Sequence, residues 1–345
     1  MSDTKNKILK FSSRPSVKGF YSVVGSKEAQ GTLGKHFNKV LPNALIGEKS
    51  WEQAETRIQQ LAIDGALGAS GVLRDEIDCI FGGDLLNQCV ATAYAVRESD
   101  LPFIGLYGAC STAAEGHLLA AAAIDAGFAQ NTLSIASSHF CGSEKQFRFP
   151  LEYGGQRTPT AQWTATGAGA FLFSRHCDPP YVEAAMPGRI RDYGVTDMAN
   201  MGAAMAPAAA DTILRFFHLS GISPEGCDLI VTGDLGKIGS SLLLKLLSAE
   251  GLDLRGRHAD CGSLLYGEDQ DTHAGGSGAG CSAAVMAAYF LPKLAKKELR
   301  RLLFVGTGAL MSPLSVKQGE SIPAIAHLVC FTSHEEQSFC EIQKG

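Results

Sequence analysis

Cys110 is the residue of this chain best suited to covalent chemistry. It stands in LPFIGLYGACSTAAEGHLLAAAAIDAG, residues 101–127. The apolar run 101–107 reads as a buried strand, Gly108 and Ala109 as a tight turn, and the small-residue run 111–126 as a packed helix. A thiol at such a helix start meets converging N–H groups and the positive end of the helix dipole. Both lower a thiol pKa, and the arrangement is that of an activated nucleophile. A small cysteine filling a dense core would have the same pattern, so the rest of the chain must decide.

The elements that would position Cys110 occur twice. IDCIFGGDL (77–85) and CDLIVTGDL (227–235) agree at five of nine positions, and each follows a helical pattern. CSTAAEGHLLAAAA from Cys110 is echoed by CSAAVMAAYFL from Cys281, and a strand pattern follows each, at 132–140 and 301–310. Two matching segments in the same order point to a tandem duplication. The break falls near CDPPY at 177–181, which divides the chain into halves 1–178 and 179–345. Asp84 and Cys110 are 26 positions apart, Asp234 and Cys281 47, so the second half carries an extra Gly-, Asp- and His-rich stretch that reads as a loop. The first half has its own excursion at 140–163. Loops over a rigid scaffold are where binding residues concentrate.

Composition narrows the classes. The chain has 345 residues, 45% hydrophobic and 19% charged, with a formal net charge of -5, which describes a compact globular protein and not a disordered one; the strand–helix repeats make its class α/β. KLAKKELRR (293–301) is short and mixed in sign, so nucleic acid is not an expected partner. The ten cysteines include no C-x-x-C pair, against a zinc site or disulfide framework, and no signal-like start precedes them; a reducing compartment is expected. No apolar run approaches the roughly 20 residues of a spanning helix. No EF-hand pattern occurs, so a metal site is not expected, and GGSGAG lacks the G-x-G-x-x-G phase while no G-x-x-x-x-G-K-[ST] occurs, so no cofactor is expected either.

The duplicated halves, the Cys-led helix and the Gly-rich strand ATGAGAFLF (165–173) resemble the thiolase superfamily. Within it, GGDLLNQ (82–88), LYGACST (106–112), SSH (137–139), FRFPLEYGGQRTPTA (147–161), MGAAMAPAAADTI (201–213), AGGSGAGCSA (274–283), GALMSP (308–313) and ESIPAIAH (320–327) resemble a stage V sporulation family of spore-forming bacteria. The resemblance implies a five-layered αβαβα fold and a homodimer. It also implies binding of pyridine-2,6-dicarboxylic (dipicolinic) acid, free or as its calcium chelate. The family helps move that acid into the developing spore, peripheral to the inner membrane and alongside other stage V sporulation membrane proteins.

Ketoacyl-synthase relatives keep a His in the loop after the strand matching 229–232, where this chain reads GDLGKIGS. They keep an Asn before the helix matching Cys281, where it reads GGSGAGCS. The late Cys-x-Gly of thiolases is also missing, with Gly306 near its place. The expectation is therefore a binding protein with a vestigial Cys110. The expected ligand contacts are Cys110, Asp84, Asn87, His139, Arg148, Arg157, His273 and Ser277. The arginines would clamp carboxylates, and N–H groups of GGSGAG and of the Cys110 helix start would bind anions. Asp84 and Asp234 occupy equivalent strand ends; the reading favours pocket lining for Asp84 and a turn cap for Asp234. A thioester-dependent acyltransferase using Cys110 is the alternative, and a structural subunit that only docks other proteins is a third reading.

Overall fold

The computed structural model describes residues 7–147, 156–175 and 178–334. Its main sheet has twelve strands, ten of which fall into two sets of five. The first set is β1 (Ser16–Val24), β2 (Cys79–Gly83), β3 (Phe103–Gly105), β4 (Asn131–Ser138) and β5 (Gly167–Ser174). The second is β6 (Tyr181–Met186), β7 (Leu229–Thr232), β8 (His258–Asp260), β9 (Arg301–Ala309) and β10 (Ala324–Thr332). In space the first set runs β3-β2-β4-β5-β1 and the second β8-β7-β9-β10-β6. The order is the same in both, and in both the fifth strand runs antiparallel to its neighbours.

Helices repeat with the strands. α1 (Trp51–Ser70) and α5 (Met201–Ser220) each precede the second strand of their set. Ser50 caps α1 by accepting the Gln53 N–H, Asn200 caps α5 by accepting the Ala203 N–H, and both helices end on a glycine at positive φ, Gly71 and Gly221. These are the residue types that satisfy the free N–H groups at a helix start and the left-handed turn at its end. α2 (Val90–Val96) and α6 (Gly236–Ala249) follow the second strands, and α3 (Thr112–Asp125) follows β3. Further on come α4 (Phe140–Phe147), α7 (Cys261–Leu265) and α8 (Ala279–Val285).

α1 packs on β1 and β5, and α5 packs on β9 and β10. α3 lies between the sets, touching β2, β4 and β5 on one side and β9 and β10 on the other, with α8 beside it. Five layers result, αβαβα. Ala113, Ala114, Ala120, Ala121, Ala283 and Ala284 face the central core with Phe171, Phe173, Phe304 and Phe331. Small side chains are what let a helix pack against two sheets at once.

Three expectations change. The two sheets are not separate: a Ser16–Tyr181 pairing joins β1 to β6. The strand before Cys110 is not buried. Among the described residues β3 pairs with β2 alone, so it is a short edge, and Ile104 and Tyr107 are 44% exposed. The Gly-rich stretch of the second half is not only loop; it contains β8, the counterpart of β3, whose three residues are too few to show a period.

Candidate functional site

Cys110 sits in a 3-10 turn, Ala109–Ser111, between β3 and α3. Ala109 takes φ +51, a left-handed conformation that costs a non-glycine residue about 1 kcal/mol. Gly308 of β9 packs directly on this turn: a Cβ there would stand 2.2 Å from the Gly108 carbonyl oxygen. That close approach brings the second set of strands onto Cys110.

The polar neighbours of Cys110 come from the second half. Its Sγ lies 3.9 Å from Ser277 Oγ. Ser277 donates to Asp234 Oδ2 (3.1 Å), to which the Gly278 N–H also donates (2.9 Å), while Thr307 donates to Asp234 Oδ1 (2.8 Å). Gln162 ties the two contributing loops by donating to the carbonyls of Asp234 and Gly276, each at 2.7 Å. Gly278, at φ +106, turns the chain into α8, a conformation open to glycine. Burial pushes the Asp234 carboxyl up to about 6. Burial also pushes the Cys110 thiol well above its usual value, and the adjacent Asp234 carboxylate adds to that rise. The expected lowering of the thiol pKa is thus reversed, because desolvation and a neighbouring negative charge both oppose the thiolate.

Cys110 and Ser277 line an inner cavity of about 40 Å3, with Leu85, Tyr107, Ser143, Phe147, Thr164, Met201 and Met311 among its other walls. A larger outer chamber of about 470 Å3 shares Tyr107, Phe147 and Met311 with it and adds Asn87, Gln88, Gln146, Ser312, Pro313 and Leu314. The two spaces are therefore neighbours that share three side chains. The Ser143 hydroxyl, on α4, is buried and has no hydrogen-bond partner among the described residues.

The structure brings together three of the eight expected contacts: Cys110 and Ser277 at the inner cavity and Asn87 at the outer chamber. Asn87 Oδ1 accepts from Gln146 at 2.6 Å. Asp84 is a correction. Its carboxylate caps its own loop, accepting from the Leu86 N–H (2.9 Å), the Thr92 N–H (2.8 Å) and the Thr92 hydroxyl (2.6 Å), and it lines neither cavity. His139 is also moved from the pocket rim to the interior, with Nε2 on the Ala44 carbonyl at 2.8 Å and its pKa lowered by burial.

Arg157 and His273 form a brace instead of a clamp. Both hold Asp271, and His273 Nδ1 also meets the Thr158 carbonyl at 2.7 Å. Arg148 lies outside the described residues. The expected anion-binding amides of GGSGAG are taken within the protein: Gly278 N–H by Asp234 and Gly280 N–H by Ser138 Oγ (3.1 Å). Asp234, Thr307, Ser143, Tyr107 and Met311 were not among the expected contacts. For Asp234 the signal was present, since it ends a strand at the sheet's C-terminal edge.

A mixed sheet of two like halves around a central helix that follows Cys110 defines a thiolase-like fold. A variant of OleA from Xanthomonas campestris superposes with a TM-score of 0.59 at 13% identity, covering 94% of this chain and 99% of that one. 3-Oxoacyl-[acyl-carrier-protein] synthase III from Aquifex aeolicus superposes with a TM-score of 0.54 at 11% identity, covering 92% and 99%. Both are likenesses of fold. The family model for Stage V sporulation protein AD matches residues 5–332. Stage V sporulation protein AD of Bacillus subtilis is 42% identical over 310 residues, which is 90% of this chain and 92% of that protein. The chain belongs to the Stage V sporulation protein AD family.

Proposed function

We propose that this chain serves sporulation by binding dipicolinic acid, free or with calcium, at the cavities beside Cys110, and that it does not use Cys110 for acyl transfer. The observation that carries the reading is the company Cys110 keeps. Acyl transfer needs a base to ionise the thiol and donors for an oxyanion. Where condensing relatives keep His and Asn, the loop after β7 supplies Asp234 and the turn before α8 supplies Ser277. An aspartate held against a buried thiol disfavours the thiolate. His273 and His327 bond elsewhere: His273 to Thr158 and Asp271, and His327 Nδ1 accepts from the Gly188 N–H at 3.2 Å.

The size and lining of the outer chamber support a flat aromatic ligand. Preformed cavities that admit benzene measure about 150 Å3, and the chamber is about 470 Å3, with Tyr107, Phe147 and Met311 as apolar walls and Asn87 and Gln146 as polar ones. This mixture suits a ring with polar substituents.

Calorimetric titration with dipicolinic acid, with and without calcium, tests the reading, and Cys110→Trp, which fills the inner cavity, is the control. Saturable binding that the substitution abolishes is the expected result. A covalent mass gain on Cys110 after incubation with an acyl-thioester would instead establish the acyltransferase alternative.

Among the described residues no helix is long and apolar enough to cross a membrane. Peripheral attachment at the spore inner membrane, beside other stage V sporulation membrane proteins, belongs to the same proposal. So does a homodimer, which the open edge of β3 with exposed Ile104 would favour. Sedimentation of the purified chain tests the dimer.

A further inference from the structure

We propose that the inner cavity is a subsite for one carboxylate of the ligand, and that it fills only together with one proton, taken from solvent by Asp234. The proposal rests on the ligand-binding reading above. It assigns the two cavities separate tasks and makes binding at the inner one proton-coupled.

Size comes first. About 40 Å3 beside Cys110 is room for two or three waters, enough for a carboxyl group and too little for an aromatic ring. A ring must therefore stay in the outer chamber, against Tyr107, Phe147 and Met311, and send a narrow head inward. Ser143 meets that head. Its hydroxyl is buried, lines the cavity and lacks a partner among the described residues; a buried hydroxyl left unpaired costs stability that a ligand acceptor would recover.

The direction of the hydrogen bonds supplies the proton requirement. In the arrangement described here Ser277 donates to Asp234 Oδ2, so the side of Ser277 that faces the cavity is a lone pair. An incoming carboxylate would meet that lone pair and, behind it, a second carboxylate. With a proton on Asp234 the chain reverses: Asp234 donates to Ser277 Oγ, and the Ser277 hydroxyl turns to donate into the cavity. Cys110 is released in the same way to donate its S–H. One proton turns Ser277 and Cys110 into donors toward the cavity, while Thr164, the other hydroxyl of its wall beside Ser143, keeps donating to Glu144 at 2.9 Å.

The charged and titratable groups that face Asp234 do not offer another way to neutralise it. They are Cys110 from the turn before α3, Asp260 at the end of β8, Cys261 of α7 and Cys281 of α8; no cation is among them in the described residues. Asp260 is itself occupied by the N–H groups of Leu235, Gly236 and Ser263 and the Thr232 hydroxyl. The Asp234 pKa of about 6 adds that the proton can be taken up near neutral pH.

The test is titration of the full chain with dipicolinic acid near pH 7.5 in two buffers of different ionisation enthalpy, repeated across pH 6.5–8.5. The expected result is uptake of close to one proton per ligand, with Kd rising about tenfold per pH unit above pH 7. Asp234→Asn should bind without proton uptake and with a flat pH profile. Ser143→Ala should weaken binding about tenfold, retain the pH slope, and affect a benzene-ring analogue lacking carboxylates much less. Binding by the wild type with no proton uptake overturns this inference and leaves the ligand reading intact; absence of binding at every pH overturns both. Should Asp234→Asn fail to fold, the wild-type proton count and the Ser143→Ala slope still decide.

Discussion

Asp84 and Asp234 leave equivalent strands, β2 and β7, at equivalent places, and both carboxylates are buried. Among the described residues Asp84 accepts only from its own connection, Leu86 and Thr92, and so closes the loop in which it stands. Asp234 accepts from Ser277, Gly278 and Thr307, which belong to two other segments, and lies against Cys110 of the opposite half. The same residue at the same topological position thus serves one half as a cap and in the other stands behind Ser277 and Cys110, which line the inner cavity. The cause is the identity of the neighbours. Thr92 turns back onto Asp84 after β2, whereas after β7 the polypeptide offers Asp234 only Leu235 and Gly236, whose N–H groups are held by Asp260. Asp234 is left to bond across the molecule.

If this contrast is right, Asp84→Ala should give the largest effect on stability. It strands the donors of Leu86 and Thr92, a loss of about 3 kcal/mol in urea unfolding, and it should leave ligand affinity per folded molecule unchanged. An affinity loss larger than the fold loss would return Asp84 to the site. The second effect is chemical. With its pKa raised, Cys110 should react with iodoacetamide at pH 8 at least about a hundredfold more slowly than a free cysteine, as read by mass spectrometry of each cysteine peptide. Labelling of Cys110 at the free-cysteine rate would break the contrast and reinstate a nucleophile.

A third effect separates Asp234 by pH. Its folded pKa, about 6, lies above the ordinary 3.8, so burying it favours the protonated form. The stability it permits is fully present below pH 4 and is lost as pH rises through 6. Thermal unfolding should show wild-type stability falling over this window by about 3 kcal/mol more than that of Asp234→Asn. Equal slopes for the two proteins would remove Asp234 from the buried, proton-accepting role. The smallest effect is expected at the outer chamber. Asn87→Ala loses an exposed hydrogen bond to Gln146, which should cost about 0.5 kcal/mol and raise the ligand Kd a few-fold.

A second pair carries the same lesson in the core. Cys110 and Cys281 start matching segments, yet Cys281 is the third residue of α8 and fully buried, while Cys110 lies in the turn before α3 and borders the cavity. The echo between them was readable from residue identity; which of the two opens onto space was not, because it depends on side chains from distant segments, Tyr107, Phe147 and Met311 among them, that surround the opening.

The sequence by itself carried the repeat of strand and helix patterns in the two halves, the central Ala-rich helices and the place of Cys110 at the start of one of them. These rest on local periods and on residue identity. It could also place Asp84 and Asp234 at strand ends. Only the tertiary structure decided that Asp234 and not Asp84 meets Cys110, that Arg157 and His273 are held by Asp271, that His139 turns to Ala44, and that Ser143 faces an inner cavity. Those outcomes depend on which hydrogen-bond donors come within about 3 Å of each group once residues far apart in the chain are packed together, and no local pattern encodes that distance.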